Sequence, residues 1–263
     1  MKENSDLNFS YTFKRICFFT IFLCLSIALR AQLFEFGVGI GSYRMMKVKD
    51  FQNYTYNSLR YNIPVDFLIS GNFSPYIDYR LNLMMYNKNK LKIGIGYGFY
   101  TTGSRIVYSD YSGLYSLDLI TNGHALRAPI RWSLLPPGKI DLYFYSDFEL
   151  VSSSLKLKQN FTLNQSQFIE DTEIHAFGFN LQAEPGIGID YYFGKLAVGA
   201  SVGISMGKGE DLHEKGNNKN KIVYQNSNYI NLDWSGVRCC LLLKYKFHFF
   251  ELSEEYVKNT IFN

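Results

Sequence analysis

Cysteine, proline and charge are all scarce in this chain: of 263 residues, 4 are Cys, 6 are Pro and 19% are charged. Each scarcity closes a class of reading. Cys17 and Cys24 fall in an N-terminal apolar run, while Cys239 and Cys240 are adjacent and so point to opposite faces of a strand. They make no disulfide framework, and the lack of paired C-x-x-C spacing argues against a structural zinc site. The net charge of +4 includes Lys2, Lys14, Arg15 and Arg30 near the N-terminus, which leaves no basic surplus for nucleic acid. The apolar run over residues 16–29 is shorter than the about 20 residues that a spanning helix needs. It follows Lys14 and Arg15 and precedes Ala31 and Gln32, the layout of a signal peptide with cleavage after Ala31. A lipoprotein signal is excluded because Phe22 and Leu23 precede Cys24 where small residues are wanted.

Aromatics make up 17% of the chain and glycine supplies 21 residues, a composition suited to strands and turns. The mean hydropathy of -0.11 resembles that of a soluble protein. In a membrane barrel that average misleads, because only alternate strand residues meet lipid.

Residues 75–101 show the pattern best. Ile77, Tyr79, Leu81, Leu83 and Met85 share one face, and Leu91, Ile93, Ile95, Tyr97 and Phe99 repeat it after a turn at residues 87–90. Asp78, Arg80, Asn82, Lys92, Gly94, Gly96 and Gly98 occupy the other face. The same alternation recurs at residues 33–41, 126–134, 140–150, 177–193, 196–206 and 237–249. Short turns at Pro136, Pro137, Gly138 and Lys139 and at Gly194 and Lys195 alternate with long connections. The long ones fall at residues 44–74, 102–123, 152–173 and 208–231, the last reading as a polar, mobile loop. Pro185 sits within a strand pattern, where the lost donor predicts a bulge or a local weakness.

This order of lengths predicts an all-β, eight-stranded antiparallel up-and-down transmembrane β-barrel over residues 32–250, with a signal peptide at 1–31 and a short periplasmic tail at 251–263. Ile63, Val65, Phe67 and Ile69 also alternate, so ten strands is the alternative. Glycines gather on the polar face, which places that face inside a narrow barrel where room is short. The lumen is then expected to hold an ion-pair network of Glu35, Asp78, Arg80, Lys92, Arg127, Arg131, Asp141, Asp147, Glu149, Glu184, Asp190, Arg238, Lys244 and Lys246. Eight strands leave just enough room for such side chains, so the interior is a plug rather than a pore.

The FEFGVGIG opening, the GIGYGF strand, the EPGIGIDYYFGKLAVGASVGISMG hairpin and the final LLLKYKFHF strand resemble the small outer-membrane β-barrels of the OmpA/OmpX-like and PorT-like type of Bacteroidetes-like bacteria. That resemblance implies an outer-membrane location in a Gram-negative host, contact with outer-membrane lipid and insertion by the barrel-assembly machinery. It carries no catalytic residues.

Other motifs yield little. Gly94, Gly96 and Gly98 follow strand alternation with no helix after them, and the run ending at Gly207 and Lys208 misses phosphate-loop spacing. No cofactor, metal or catalytic residue is assigned. The expected role is non-enzymatic, structural or surface-interacting, through long outer loops bearing Tyr54, Tyr56, Tyr108, Tyr111 and Tyr115 toward a protein or surface partner. Two alternatives stand beside it. One is a lipid-modifying enzyme using rim residues His124 and His175, and the other is a narrow channel or transporter.

Overall fold

The structure, a computed structural model, describes residues 33–42, 45–62, 68–70, 73–86, 90–109, 113–136, 138–163, 166–214, 217–224 and 228–247. The signal peptide and tail expected at 1–31 and 251–263 lie outside them. The elements in chain order are β1 (Leu33–Gly41), α1 (Met46–Asn62), β2 (Leu68–Ser70), β3 (Tyr76–Tyr86), β4 (Leu91–Ser109), β5 (Gly113–Ser133), β6 (Ile140–Leu163) and β7 (Ser166–Phe193). They continue with β8 (Leu196–Gly209), β9 (His213–Glu214), β10 (Asn217–Lys221), β11 (Val223–Tyr224), β12 (Asn228–Tyr229) and β13 (Gly236–Lys246).

Eight strands close on themselves in the order β1, β3, β4, β5, β6, β7, β8, β13 and back to β1, every pair antiparallel. The closing seam runs from Leu33 opposite Lys246 to Gly41 opposite Arg238. Closure leaves no free backbone edge in the ring, which is how a β-structure satisfies its polar groups without water. The ten-strand alternative is not what the described residues form: β2 has only 3 residues and lies against residues 105–107 of β4. Ile63, Val65 and Phe67 lie outside the described residues.

Pro185 produces no bulge. The β6–β7 register runs straight past it, and the β7–β8 ladder skips Glu184 and Pro185 and resumes unshifted at Gly186. At the opposite end Gly194, with a φ of 64°, turns β7 into β8 in two residues.

The expected long connections at 102–123 and 152–173 are instead mostly strand, because β4, β5, β6 and β7 run for 19, 21, 24 and 28 residues. One side of the barrel therefore rises well above the other, where β1 has 9 residues and β13 has 11. The connection expected over 44–74 carries α1. Val48, Phe51, Gln52, Thr55 and Tyr56 recur at helical spacing on it; Val48 and Gln52 are buried and the other three half-buried. The segment expected to be a mobile loop at 208–231 folds inward, with Leu212 and Ile230 fully buried.

Together these pieces cap the barrel. Met45 and Val48 beside α1's start, Leu212, Ile230, Leu232 and Trp234 pack with Ile106, Leu117, Leu119, Leu155 and Leu157 of the tall wall in one apolar cluster. Gln52 Nε2 donates to Ser104 Oγ at 2.5 Å and ties the helix to that wall.

The two faces of the wall exchange polarity at a definite height. On β6 the outward residues are Ile140, Leu142, Phe144, Phe148 and Leu150, then Ser152, Ser154, Lys156 and Lys158. The inward ones are Asp141, Asp147 and Glu149, then Val151, Ser153, Leu155 and Leu157. On β5 the change falls between Leu126 and His124, and on β4 between Phe99 and Thr101. Below this height the protein is greasy outside and charged inside, and above it the order is that of a protein in water.

Candidate functional site

The inward parity set by each strand delivers charged side chains to the lumen from seven of the eight strands, β4 giving only Lys92 among its glycines, while β8 contributes only Ala, Gly and Ser. A Cβ on Gly203 would meet the Glu184 Cγ at 3.1 Å, and one on Gly188 would enter the Tyr143 ring. Such close approach is what the small residues permit.

Near the turn end, both terminal nitrogens of Arg131 engage the two oxygens of Glu35. Lys244 Nζ lies 3.0 Å from Glu35 Oε2 and 2.6 Å from Asp190 Oδ2, and Asn82 Nδ2 donates to Glu35 Oε1 at 2.7 Å. Lys92 contacts Asp141, which also accepts from Ser133 Oγ at 3.2 Å. The Tyr143 ring lies under Lys244 Nζ at 4.7 Å and Arg131 Cζ at 5.1 Å.

Midway up is a second, larger cluster. Arg80 donates to Asp78 Oδ2 at 2.6 Å and forks onto both oxygens of Glu184 at 3.0 and 3.1 Å. Arg127 contacts Asp147 and lies 3.0 Å from Glu149 Oε1. Arg238 reaches Glu149 Oε2 at 3.0 Å and Glu184 Oε2 at 2.7 Å. Tyr145 and Tyr100 donate their hydroxyls to Glu184 and Glu149, at 2.8 and 2.7 Å. These charged groups are almost wholly buried. A buried ion pair adds little net stability over an apolar replacement, but removing one partner is costly.

Trp234 closes the cluster from above. Its Nε1 donates to Ser153 Oγ at 2.9 Å, its ring packs edge-on to Tyr76 at 5.2 Å, and its carbonyl accepts from Arg238 at 3.4 Å. Arg238 Cζ also stands 4.6 Å over the Tyr100 ring. Sequence reasoning missed Trp234 and Tyr76. The alternation of Ile230, Leu232 and Trp234 inside a polar stretch was the available signal.

Thirteen of the fourteen residues expected in the lumen thus meet an opposite charge there, namely all but Lys246. Lys246 Nζ instead lies over the Tyr192 ring at 3.7 Å. His124 and His175 do not converge. Both lie on outward faces: His124 beside Tyr97, whose hydroxyl is 2.5 Å from its Nδ1, and His175 in contact with Glu173. His124 pairs across β5–β6 with Ser152, while His175 pairs with Lys156 of β6, four residues further up. Lys156 Nζ, 2.8 Å away, and His175 hold the Glu173 carboxyl below the ordinary carboxylate range. Among the described residues no three His, Cys, Asp or Glu side chains are placed to hold a metal ion.

No protein-family model matches the chain, and no curated protein matches it significantly. Among solved structures it is similar to LpxR from Salmonella typhimurium, at 9% identity and a TM-score of 0.22, over 81% of this chain and 100% of that one. A likeness that distant transfers no chemistry.

Proposed function

We propose that this chain is an outer-membrane β-barrel protein of a Gram-negative bacterium, delivered by a cleaved signal peptide and inserted by the barrel-assembly machinery. Its role is non-enzymatic and is carried by the tall, capped rim facing outward. The observation that carries this reading is the exchange of polarity between the two faces of the wall. From Ile140 to Leu150 the outward face of β6 is apolar but for Ser146. Ten steps of ~3.3 Å on a strand tilted ~40° rise about 25 Å, the height of an outer-membrane apolar band. Aromatics mark its lower margin at Phe34, Trp132, Tyr191, Phe193 and Tyr245.

The same reading assigns the lumen a structural role. Interlocked ion pairs, roofed by Trp234 and the apolar cap, fill the interior among the described residues, so conduction is not the expected activity. The rim presents Tyr54 and Tyr61 on α1 and Tyr229 on β12, all exposed, as material for contact with a protein or surface partner. The separation of His124 from His175 favours neither a catalytic pair nor lipid chemistry.

Fractionation of the host combined with gel migration tests the proposal. Expected are outer-membrane recovery and faster migration of the unheated protein. A soluble mature protein whose migration is indifferent to heating would overturn it, and steady single-channel conductance in planar bilayers would overturn the sealed lumen.

A further inference from the structure

The central cluster does not balance. Among the described residues Asp78, Asp147, Glu149 and Glu184 form ion pairs with Arg80, Arg127 and Arg238 alone, four carboxyls against three guanidinium groups, each nearly or fully buried. The other lumen cations are engaged elsewhere: Lys92 by Asp141, Arg131 by Glu35, and Lys244 by Glu35 and Asp190. Lys246 stands over Tyr192 toward the end of β13.

Two further observations locate the surplus. Asp147 and Glu184 are direct register partners on β6 and β7, both pointing inward. Opposed side chains on neighbouring strands have Cβ atoms ~4.5–5.5 Å apart, and two like charges there repel. Glu184 is saturated, with both oxygens bound by Arg80 and further bonds from Arg238 and Tyr145. Asp147 is engaged only through Oδ2, by Arg127 and at 3.7 Å by Arg80, while its buried Oδ1 has no hydrogen-bond partner. Asp78 Oδ1 is also without a hydrogen bond, but Arg127 lies 3.9 Å from it and its Oδ2 takes two nitrogens of Arg80. The charged or titratable groups that face Asp147 are Arg80 of β3, Arg127 and Arg131 of β5, Tyr143 and Tyr145 of β6 and Glu184 of β7, with Asp78, Tyr100, Glu149 and Arg238 completing the cluster beyond them. From β1, β4 and β8 the lumen here receives glycines such as Gly37, Gly96 and Gly203.

We propose that the central cluster is a proton-binding site that holds one proton at neutral pH, carried by Asp147 opposite Glu184. A proton is the smallest group that can neutralise the surplus in a space already filled by side chains, and a neutral carboxyl removes the repulsion across β6–β7. Two like charges so close cannot both stay ionised without compensation. The site then makes the barrel responsive to alkali: losing the proton puts an uncompensated charge beside Glu184 and loosens the tie between β6 and β7.

Infrared spectroscopy of the full, folded chain at neutral pH tests this. Expected is the carbonyl stretch of a buried protonated carboxyl, shifted when aspartate side-chain carboxyls carry ¹³C and unmoved when glutamate carboxyls do. Asp147→Asn should abolish the band while the protein stays folded. Absence of any acid band at neutral pH, its displacement by the glutamate label, or its full survival in Asp147→Asn would each overturn the assignment. The labelling arm uses the natural chain and so needs no variant to fold. The inference requires the closed lumen and not the lipid around it, so loss of heat-modifiable migration would sink the membrane reading and leave this one standing.

Discussion

Arg238 Nη1 lies 2.7 Å from Glu184 Oε2, although β13 and β7 are not neighbours in the ring. The strand between them, β8, places Gly203 and Ser205 on the inside, and the guanidinium crosses over these small residues. The ion pair is thus a chord across the barrel, fastening strands that no backbone hydrogen bond joins.

Cutting that chord strands Glu149 and Glu184 together in a closed interior. Arg238→Met should lower stability by about 3 to 5 kcal/mol, the usual result of removing one member of a buried ion cluster. Urea titration in lipid vesicles, followed by Trp fluorescence or gel migration, measures the loss. An unchanged midpoint would show that the cluster relaxes around the vacancy.

Leu241 lies midway along the outward face of β13 and is 72% exposed. Lipid is a poor solvent for a guanidinium, so Leu241→Arg should cost about 2 to 4 kcal/mol, whereas Ser154→Arg, above the apolar band, should cost close to nothing. In a protein bathed in water throughout, the two substitutions would be equally harmless. Comparing the folded fraction of each variant in vesicles decides the matter.

Trp234 is 1% exposed and bonds to Ser153 across the mouth. Trp234→Ala should cost about 3 to 5 kcal/mol in packing if the cap folds with the barrel. If the cap is a separate unit, the ring stays intact and cleavage appears at Lys208 or Lys221 on brief trypsin treatment. Limited proteolysis beside a melting curve separates the two outcomes.

The portion of the fold legible in the sequence is the portion that is apolar outside and charged inside. There the outward residues must be apolar and the inward face is charged or small, so Leu81, Ile95 and Val198 announce their orientation without further help. Above Leu150 on β6 and Leu126 on β5 the outside turns polar, and apolar residues move to the opposite parity at Val151 and Ala125. A reading that follows one parity loses the strand there and reports a loop. The adjacent apolar residues Leu150 and Val151 mark the slip. Helix α1 escaped for a related reason: its inner face mixes Val48 with Gln52 and Thr55, and too little of it is apolar to stand out. The charged residues of the lumen were legible as a set, because parity selects them. Their partners were not, since Arg238 meets Glu149 and Glu184 only once the ring has closed.

Gly188 lies inside the barrel against Tyr143, and a side chain there has nowhere to go. Gly188→Val should destabilise by about 1 to 3 kcal/mol through overpacking. Gly138 has only a carbonyl at 3.8 Å from an added Cβ, so Gly138→Ala serves as the matched control with little expected effect.

At the top of β6–β7, Glu173 titrates below the ordinary carboxylate range because Lys156 and His175 contact it. A depressed value in the folded state means that the contact contributes above the unfolded Glu value and is lost as pH falls through the folded one. Amide exchange in residues 156–158 and 173–175 should therefore quicken on acidification below the ordinary Glu range, and Glu173→Gln should flatten that dependence. Because the site is exposed, the global unfolding midpoint should stay where it is.

A closed ring has no edges, but only as high as its shortest strands reach. Above β1 and β13 the wall of β4 to β7 becomes an open sheet with two borders, each inviting a foreign strand to pair. Part of each border is taken by the chain itself: β2 lies along residues 105–107 of β4, and β9 along Ala176 and Phe177 of β7. Three residues are paired in this way on one side and two on the other. These two scraps of strand break the length of border that a neighbouring chain would have free for pairing.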